Sequence, residues 1–167
     1  MKYPSLFAAI ILAFLIHGQL FAHDNSTLIS FTLKDQFGKE YTEKSFPDKI
    51  LVVIVADREG NKYSDSWQQA ICEALLKRQT EVPVQCLRVA DLRGAPWFLH
   101  SFINGKFPQE KAHWSLMDWK GIFAAAYNCE SKSGNILTFD RQQRLVYKTS
   151  VQHPDPRKLE EIVNNVK

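Results

Sequence analysis

The stretch "KILVVIVADREGNKYSDSW", from Lys49 to Trp67, places a polar loop between a buried strand and a helix. Its first half is an almost unbroken run of Ile and Val, which is typical of a central strand covered on both faces. Apolar residues then recur at helical spacing, and Ser64 or Ser66 is predicted to cap this helix. In open α/β sheets, ligands usually bind at the junction that follows such a strand. The composition of the loop therefore bears directly on function.

The loop contains no cysteine and no histidine, so anion binding is its candidate chemistry. A helix N-terminus with nearby cations favours negative charge. The alternative interpretation is a solvated polar loop with a helix cap, and helix N-termini of that kind far outnumber anion sites. The candidate ligands of a small anion are Arg58, Asn61, Lys62 and Ser64.

The remaining elements continue an α/β order. "STLISFTLKDQFGKEYT" predicts an N-terminal hairpin, and "VPVQCLRVA" predicts the second strand of a parallel, right-handed β-α-β unit. Pro96 opens and Gly105 closes a predicted helix, and "GIFAAAYN" predicts another. "GNILTFDRQQRLVYKTS" indicates a second hairpin, and a final amphipathic helix begins at Pro156.

This order resembles a thioredoxin fold with an N-terminal hairpin, as in the redoxin and peroxiredoxin branches. "FTLKDQFGKEYT", "DWKGIFAAAYN" and "ILTFDRQQRLVYK" are similar to their entry hairpin, the segment before their fourth strand and their late hairpin. The exported YtfJ-type redoxin-like group also shares a first loop without cysteines and a Ser before the late hairpin. Its string of Trp, Ser, Asp and Gly has counterparts here in Trp114, Ser115, Asp118 and Gly121. The resemblance implies an α/β fold with a central mixed sheet flanked by helices over residues 23–167.

The departures from the family bear on activity. Thioredoxin-like oxidoreductases carry C-x-x-C where the first loop enters the helix, whose N-terminus stabilises the thiolate. That position reads "DREGNKYSDSW" here, and Gly134-Asn135, where the family's cis-proline is expected, contains no proline. The resemblance thus implies a degenerate redox site and a non-catalytic binding or accessory role, since fold alone does not supply function. The expected partner is an unidentified protein or a small anion.

Cys129 supports the alternative hypothesis, a single-cysteine thiol oxidoreductase or peroxidase-like enzyme. It lies in a polar segment with Lys132, which favours the thiolate, and Glu130, which opposes it. A thiol of ordinary reactivity is expected, alkylated before the other two cysteines. Cys72 and Cys86 lie in regular elements and are expected to be protected. A Cys72–Cys86 disulfide stays open, because a crossover helix packs on its own sheet.

No cofactor or metal is expected. Copper-carrying relatives of the fold pair a His near residue 129 with two Cys in the first loop, and those two are missing. His100, His113 and His153 are scattered along the chain without a ligand spacing.

Aromatic residues are dense in the middle third of the chain. Most are expected to pack in the core, where aromatics contribute strongly to packing. The alternative is an exposed aromatic groove for a peptide or protein. The residues concerned are Trp97, Phe98, Phe102, Trp114, Trp119 and Phe123.

Residues 1–22, "MKYPSLFAAIILAFLIHGQLFA", predict a secretory signal peptide cleaved between Ala22 and His23. A soluble periplasmic or secreted domain is expected. The alternative is an uncleaved N-terminal anchor, although the apolar stretch from Leu6 to Ile16 is short for a membrane span. The net charge of +3 is too small to imply binding of nucleic acid or of an acidic membrane surface.

Overall fold

The computed structural model describes residues 25–78 and 82–166. The predicted signal peptide and its cleavage site lie outside these ranges. The strands are β1 (Thr32–Asp35), β2 (Glu40–Thr42), β3 (Ile50–Ala56), β4 (Val84–Asp91), β5 (Leu116–Asp118), β6 (Gly134–Phe139) and β7 (Leu145–Val151). The α-helices are α1 (Asn61–Arg78), α2 (His100–Asn104), α3 (Ile122–Ala126) and α4 (Pro156–Asn164), and 3-10 turns cover Glu43–Ser45, Trp97–Leu99 and Lys111–His113.

These strands form one mixed sheet in the order β2-β1-β5-β4-β3-β6-β7. All seven residues of β3 are buried, as the run of Ile and Val predicts. β3 pairs in parallel with β4 and antiparallel with β6, so the predicted β-α-β unit is confirmed. The two predicted hairpins are confirmed as the β1-β2 and β6-β7 pairs.

Helices cover both faces of the sheet. Successive side chains of β3 point to opposite faces, so each face of this strand contributes to a separate layer of packing. Val52 packs with α1 and α4, whereas Val53 packs with α3 and the N-terminal segment. On the first face, the Trp67 indole N–H donates to the Gln152 carbonyl at 2.6 Å. On the second, the Tyr127 hydroxyl bonds the N-terminal segment. Both faces thus have a packed apolar core.

The structure differs from the sequence-based interpretation at two points. The sequence pattern does not predict β5, although this strand pairs in parallel with β4 and antiparallel with β1. The helix after the loop begins at Asn61, so neither Ser64 nor Ser66 is its cap. Pro156 stands at the start of α4 as predicted, with Asp155 as the N-cap. No helix of residues 25–78 and 82–166 is long and apolar enough to cross a membrane.

Candidate functional site

β3 and the parallel strands β4 and β5 end at one edge of the sheet, where β6 begins. Three segments meet there, namely residues 57–60, 91–93 and 129–135, and together we call them the polar corner. Their position matches the junction at which the sequence places the candidate site. The contacts within the polar corner decide what chemistry it supports.

Asp57 joins two of these segments. One carboxylate oxygen accepts a hydrogen bond from the Gly60 N–H at 2.7 Å, and the other accepts one from the Lys132 N–H at 2.9 Å. Gly60 also packs against the main chain of Ser133. The loop after β3 is therefore fixed to the segment before β6, with the Asp57 carboxylate already bonded within the protein.

Asn135 fixes the segment before β6 and is 1% exposed. Its Oδ1 accepts hydrogen bonds from the Glu130 N–H at 2.7 Å and the Ser150 hydroxyl at 2.9 Å. Its Nδ2 donates to the Glu130 carbonyl at 2.9 Å. This residue stands where the family's cis-proline was expected, and all peptide bonds of the described residues are trans. A buried amide thus orders this turn.

Asp91 and Arg93 close the other side of the corner. The Asp91 carboxylate accepts hydrogen bonds from Arg93 Nε at 2.8 Å and Nη2 at 2.5 Å, which raises the pKa of Arg93. Gly121 has φ +67°, and a β-carbon there would lie 2.9 Å from Arg93 Cδ. Asp118 is fully buried and accepts a bond from the Phe123 N–H at 3.0 Å. The sequence places Asp118 and Gly121 in a shared string but gives no role to either residue.

Cys129 lies beside this network and is partly buried. Burial is the main cause that raises the pKa of its thiol to about 12, and Lys148 opposes the shift. Lys132 was expected to favour the thiolate, but its ammonium pairs instead with Glu59 at 3.4 Å. A cavity of about 10 Å³ adjoins Cys129, which is room for about one water molecule. The raised pKa therefore favours the protonated thiol at neutral pH, and the adjoining cavity is small.

The four candidate anion ligands lie on the first turn of α1 and the loop before it. Arg58 is exposed, and the Lys62 ammonium lies 4.9 Å above the Tyr63 ring. Ser64 is 2% exposed, so its hydroxyl is closed to a ligand from solution and it is removed from the candidate set. Arg58, Asn61 and Lys62 stay as a predicted anion site.

The expectation that most aromatics pack in the core is wrong for three of the six. Trp97, Phe98 and Phe102 are 81%, 66% and 62% exposed. They belong to the aromatic segment, our name for residues 97–102. His100, on the same segment, stacks on Trp119 at 3.6 Å between ring centroids. The aromatic segment is thus held next to β5 and follows directly after the polar corner.

The other three aromatics are covered to different degrees. Phe123 is 1% exposed and belongs to the core. Trp114 stacks on Tyr41 at 4.5 Å between ring centroids, and Trp119 is partly buried. In residues 25–78 and 82–166, no group of three His, Cys, Asp or Glu side chains is arranged to hold a metal ion.

The sequence matches no protein-family model and no curated protein. Solved structures do match the fold. The exposed lipoprotein thioredoxin Etrx1 of Streptococcus pneumoniae is 15% identical, with a TM-score of 0.56 over 80% of this chain and 99% of that chain. The thioredoxin domain of a Bacteroides vulgatus thiol-disulfide oxidoreductase is 14% identical, with a TM-score of 0.56 over 86% and 98%. Arabidopsis thaliana ScoI, solved with copper bound, is 12% identical, with a TM-score of 0.57 over 83% and 94%. The chain has a thioredoxin-like α/β fold with an N-terminal hairpin.

Proposed function

We propose that this protein is an extracytoplasmic binding protein of thioredoxin-like fold, which docks a protein partner through the aromatic segment. The observation that carries the proposal is the exposure of Trp97, Phe98 and Phe102 on one short stretch. Large exposed apolar patches mark interaction sites, and aromatic residues are enriched at protein interfaces. Lone exposed apolar side chains are ordinary, but here three exposed aromatics lie within six residues, and the Trp97 and Phe98 rings are 6.1 Å apart between centroids.

The surroundings of the aromatic segment indicate the chemistry of the partner. The Lys106 ammonium lies 4.8 Å above the Phe102 ring, at the border of the exposed surface. Residues 94–113 also contain Lys111 and the single acidic residue Glu110. We infer a partner surface that is apolar at its centre and acidic at its rim, because complementary charge at a rim speeds association.

The polar corner supports binding over catalysis. The Asp57 carboxylate is bonded to main-chain N–H groups of both loops, and the adjoining cavity of about 10 Å³ has room for about one water molecule. The thiol-enzyme alternative needs an accessible Cys129 thiolate. With its pKa raised to about 12, Cys129 is almost fully protonated at neutral pH, so the observed geometry does not favour that alternative.

Export is part of the proposal. The pattern of residues 1–22 predicts a secretory signal peptide, and one structural neighbour is itself an exposed lipoprotein. We also propose kinship with the YtfJ-type redoxin-like group. In the shared string, Asp118 bonds the start of α3, and Gly121 takes a left-handed conformation under Arg93. These local roles explain why the string needs an Asp and a Gly at those two positions.

Site-specific photo-crosslinking tests the docking surface. A photoreactive amino acid at residue 98 is expected to capture a partner protein in the cell envelope of the source organism. The same group at residue 146 is the matched control, because Val146 is 48% exposed on β7, an edge strand that three other strands separate from β5. The partner is identified by mass spectrometry and purified for direct binding.

The binding measurement then decides the proposal. Trp97→Ala with Phe102→Ala should raise the Kd at least about tenfold, since aromatic anchors carry much of the energy of an interface. Val146→Ala should leave the Kd unchanged. Equal capture at residues 98 and 146, or a Kd unaffected by the double substitution, would reject the aromatic segment as the docking surface. A concentration-dependent dimer abolished by the same substitutions would identify self-association instead.

A further inference from the structure

Cys72 and Cys86 face one another between α1 and the sheet. Cys72 lies on the fourth turn of α1, and Cys86 lies on β4 on the face that α1 covers. Both are free thiols, and they are close enough for each to shift the pKa of the other. Neither belongs to the polar corner, which contains Cys129. The fold thus brings together two cysteines that are 14 positions apart in the sequence.

The pair reaches solvent through a groove of about 450 Å³, which both cysteines line. We call it the thiol groove. It borders the first half of β4, because β5 pairs only with the last three residues of that strand, Val89–Asp91. Both cysteines are partly exposed. The other side chains of the groove include Gln68, Leu75, Leu76 and Trp114. The volume falls in the range of small-molecule sites, so a small disulfide has room to approach.

The two thiols differ in a way that suits stepwise exchange. The hydrogen bond from Cys86 stabilises the Cys72 thiolate and lowers the pKa of Cys72. The same contact, together with burial, raises the pKa of Cys86. Thiol–disulfide exchange begins with attack by a thiolate, so Cys72 is the expected attacking residue. Cys86 is then placed to complete the exchange.

We propose that Cys72 and Cys86 form a reversible dithiol–disulfide pair, which exchanges with disulfides that enter the thiol groove. The Cys72 thiolate attacks one sulfur of R–S–S–R, which forms a mixed disulfide and releases RS⁻. Cys86 then loses its proton, and its sulfur attacks the Cys72 sulfur, which forms the Cys72–Cys86 bond and releases the second RS⁻. The protein loses two electrons and two protons, and R–S–S–R is reduced to two thiols. The proposal is independent of the aromatic segment.

Redox equilibration with glutathione tests the pair. Reduced protein is incubated in glutathione buffers of increasing oxidised fraction, quenched with acid, and alkylated in denaturant. Wild type and Cys129→Ser should each lose two alkylatable thiols in one step, and peptide mapping should find Cys72 linked to Cys86. Cys86→Ser should instead accumulate a glutathione adduct on Cys72. Cys72→Ser should form its adduct on Cys86 about tenfold more slowly, because burial still raises the pKa of Cys86 when the Cys72 thiol is absent.

Three results would overturn the proposal. The first is a wild-type protein that keeps all three thiols at every oxidised fraction. The second is a glutathione adduct on Cys72 that persists in the wild type, which would mean that Cys86 cannot reach it. The third is an intramolecular link that includes Cys129. Wild type and Cys129→Ser distinguish these results by themselves, so the outcome does not depend on the folding of the other two variants.

Discussion

Gly60 lies so close to the main chain of Ser133 that a β-carbon at residue 60 would stand 2.3 Å from the Ser133 carbonyl oxygen. The loop after β3 and the segment before β6 therefore touch backbone to backbone. Asp57 bonds across the same contact, to the Lys132 N–H. In this chain the junction that usually admits a ligand is occupied by its own loops.

Gly60→Ala should destabilise the protein, because a methyl group at that distance forces the two loops apart. We expect a loss of about 2–4 kcal/mol in the free energy of unfolding, measured by urea denaturation. Gly105→Ala is the matched control, since its β-carbon would lie 3.5 Å from the nearest atom, an ordinary contact. That substitution should stay within about 1 kcal/mol of wild type. Equal midpoints for the two variants would contradict the close packing of Gly60.

Cys129 should make the protein less stable at alkaline pH. Its pKa is raised in the folded state to about 12, from an ordinary value near 9.0. Between these values the unfolded chain loses the thiol proton and the native protein keeps it. The contribution to stability is therefore complete below about pH 9 and falls as pH rises, by at most about 1.4 kcal/mol per pH unit.

Urea denaturation of wild type and Cys129→Ser at several pH values checks this expectation. Tyr127 also has a pKa raised to about 12, but it is present in both proteins, so the difference between their curves reports Cys129. The variant should show the flatter curve above about pH 9. Parallel curves would mean that burial does not hold the Cys129 thiol in its protonated form.

Arg88 carries a buried positive charge that the Asp65 carboxylate compensates, so the stability of the protein depends on Asp65. Its side chain is 4% exposed, its Nη1 pairs with the Asp65 carboxylate, and its Nη2 donates to the His113 carbonyl at 3.0 Å. Burial lowers the pKa of Arg88. Asp65→Asn leaves the guanidinium without its anionic partner, and we expect a loss of about 1–3 kcal/mol in the free energy of unfolding. The lower half of that range is favoured because Asp65 is 64% exposed.

A double-mutant cycle separates the charge effect from a general effect on α1. Adding Arg88→Met to Asp65→Asn should recover most of the loss, because the buried charge is then removed. Glu73→Gln is the control on the same helix, where Glu73 only accepts a hydrogen bond from the exposed Gln69 side chain. It should change stability by less than about 0.5 kcal/mol. Additive losses for the two substitutions of the pair would exclude their coupling.

Sequence periodicity predicts the elements that are long enough to show a period. The apolar run of β3, the two hairpins and α4 each extend over several residues of regular pattern, and the structure confirms them. β5 has only three residues, too few to display alternation, so nothing in the sequence separates it from a loop. The predicted start of α1 is too late because Asn61, Lys62 and Ser64 are polar. Tyr63 and Trp67, four positions apart and both buried, carry the signal of an earlier start.

The candidate sites depend on burial and on contacts between distant parts of the chain. Trp97 and Phe123 have the same apolar character in the sequence, yet one is 81% exposed and the other 1%. Lys132 and Cys129 are close along the chain, but the Lys132 ammonium turns to Glu59 instead. The contact between Cys72 and Cys86 depends on how α1 lies on β4, which the sequence leaves open. The local sequence pattern predicts helices and strands, whereas the environment of each side chain depends on how those helices and strands pack together.

Cys72 should be the first cysteine to react in the reduced, folded protein, and Cys129 should be much slower. This order reverses the expectation from sequence, which placed Cys129 first. Cys72 lines the thiol groove, and the hydrogen bond from Cys86 lowers its pKa, so it supplies the most thiolate at neutral pH. Cys129 is held protonated by burial. Native alkylation with iodoacetamide at neutral pH, followed by peptide mass spectrometry over time, gives the rate at each site.

Cys86→Ser should slow labelling of Cys72, because the thiol that stabilises its thiolate is gone, while Cys129→Ser should leave that rate unchanged. Labelling of Cys129 at the rate of a free thiol, ahead of Cys72, would show that the polar corner opens in solution and would restore the single-cysteine enzyme as the leading hypothesis.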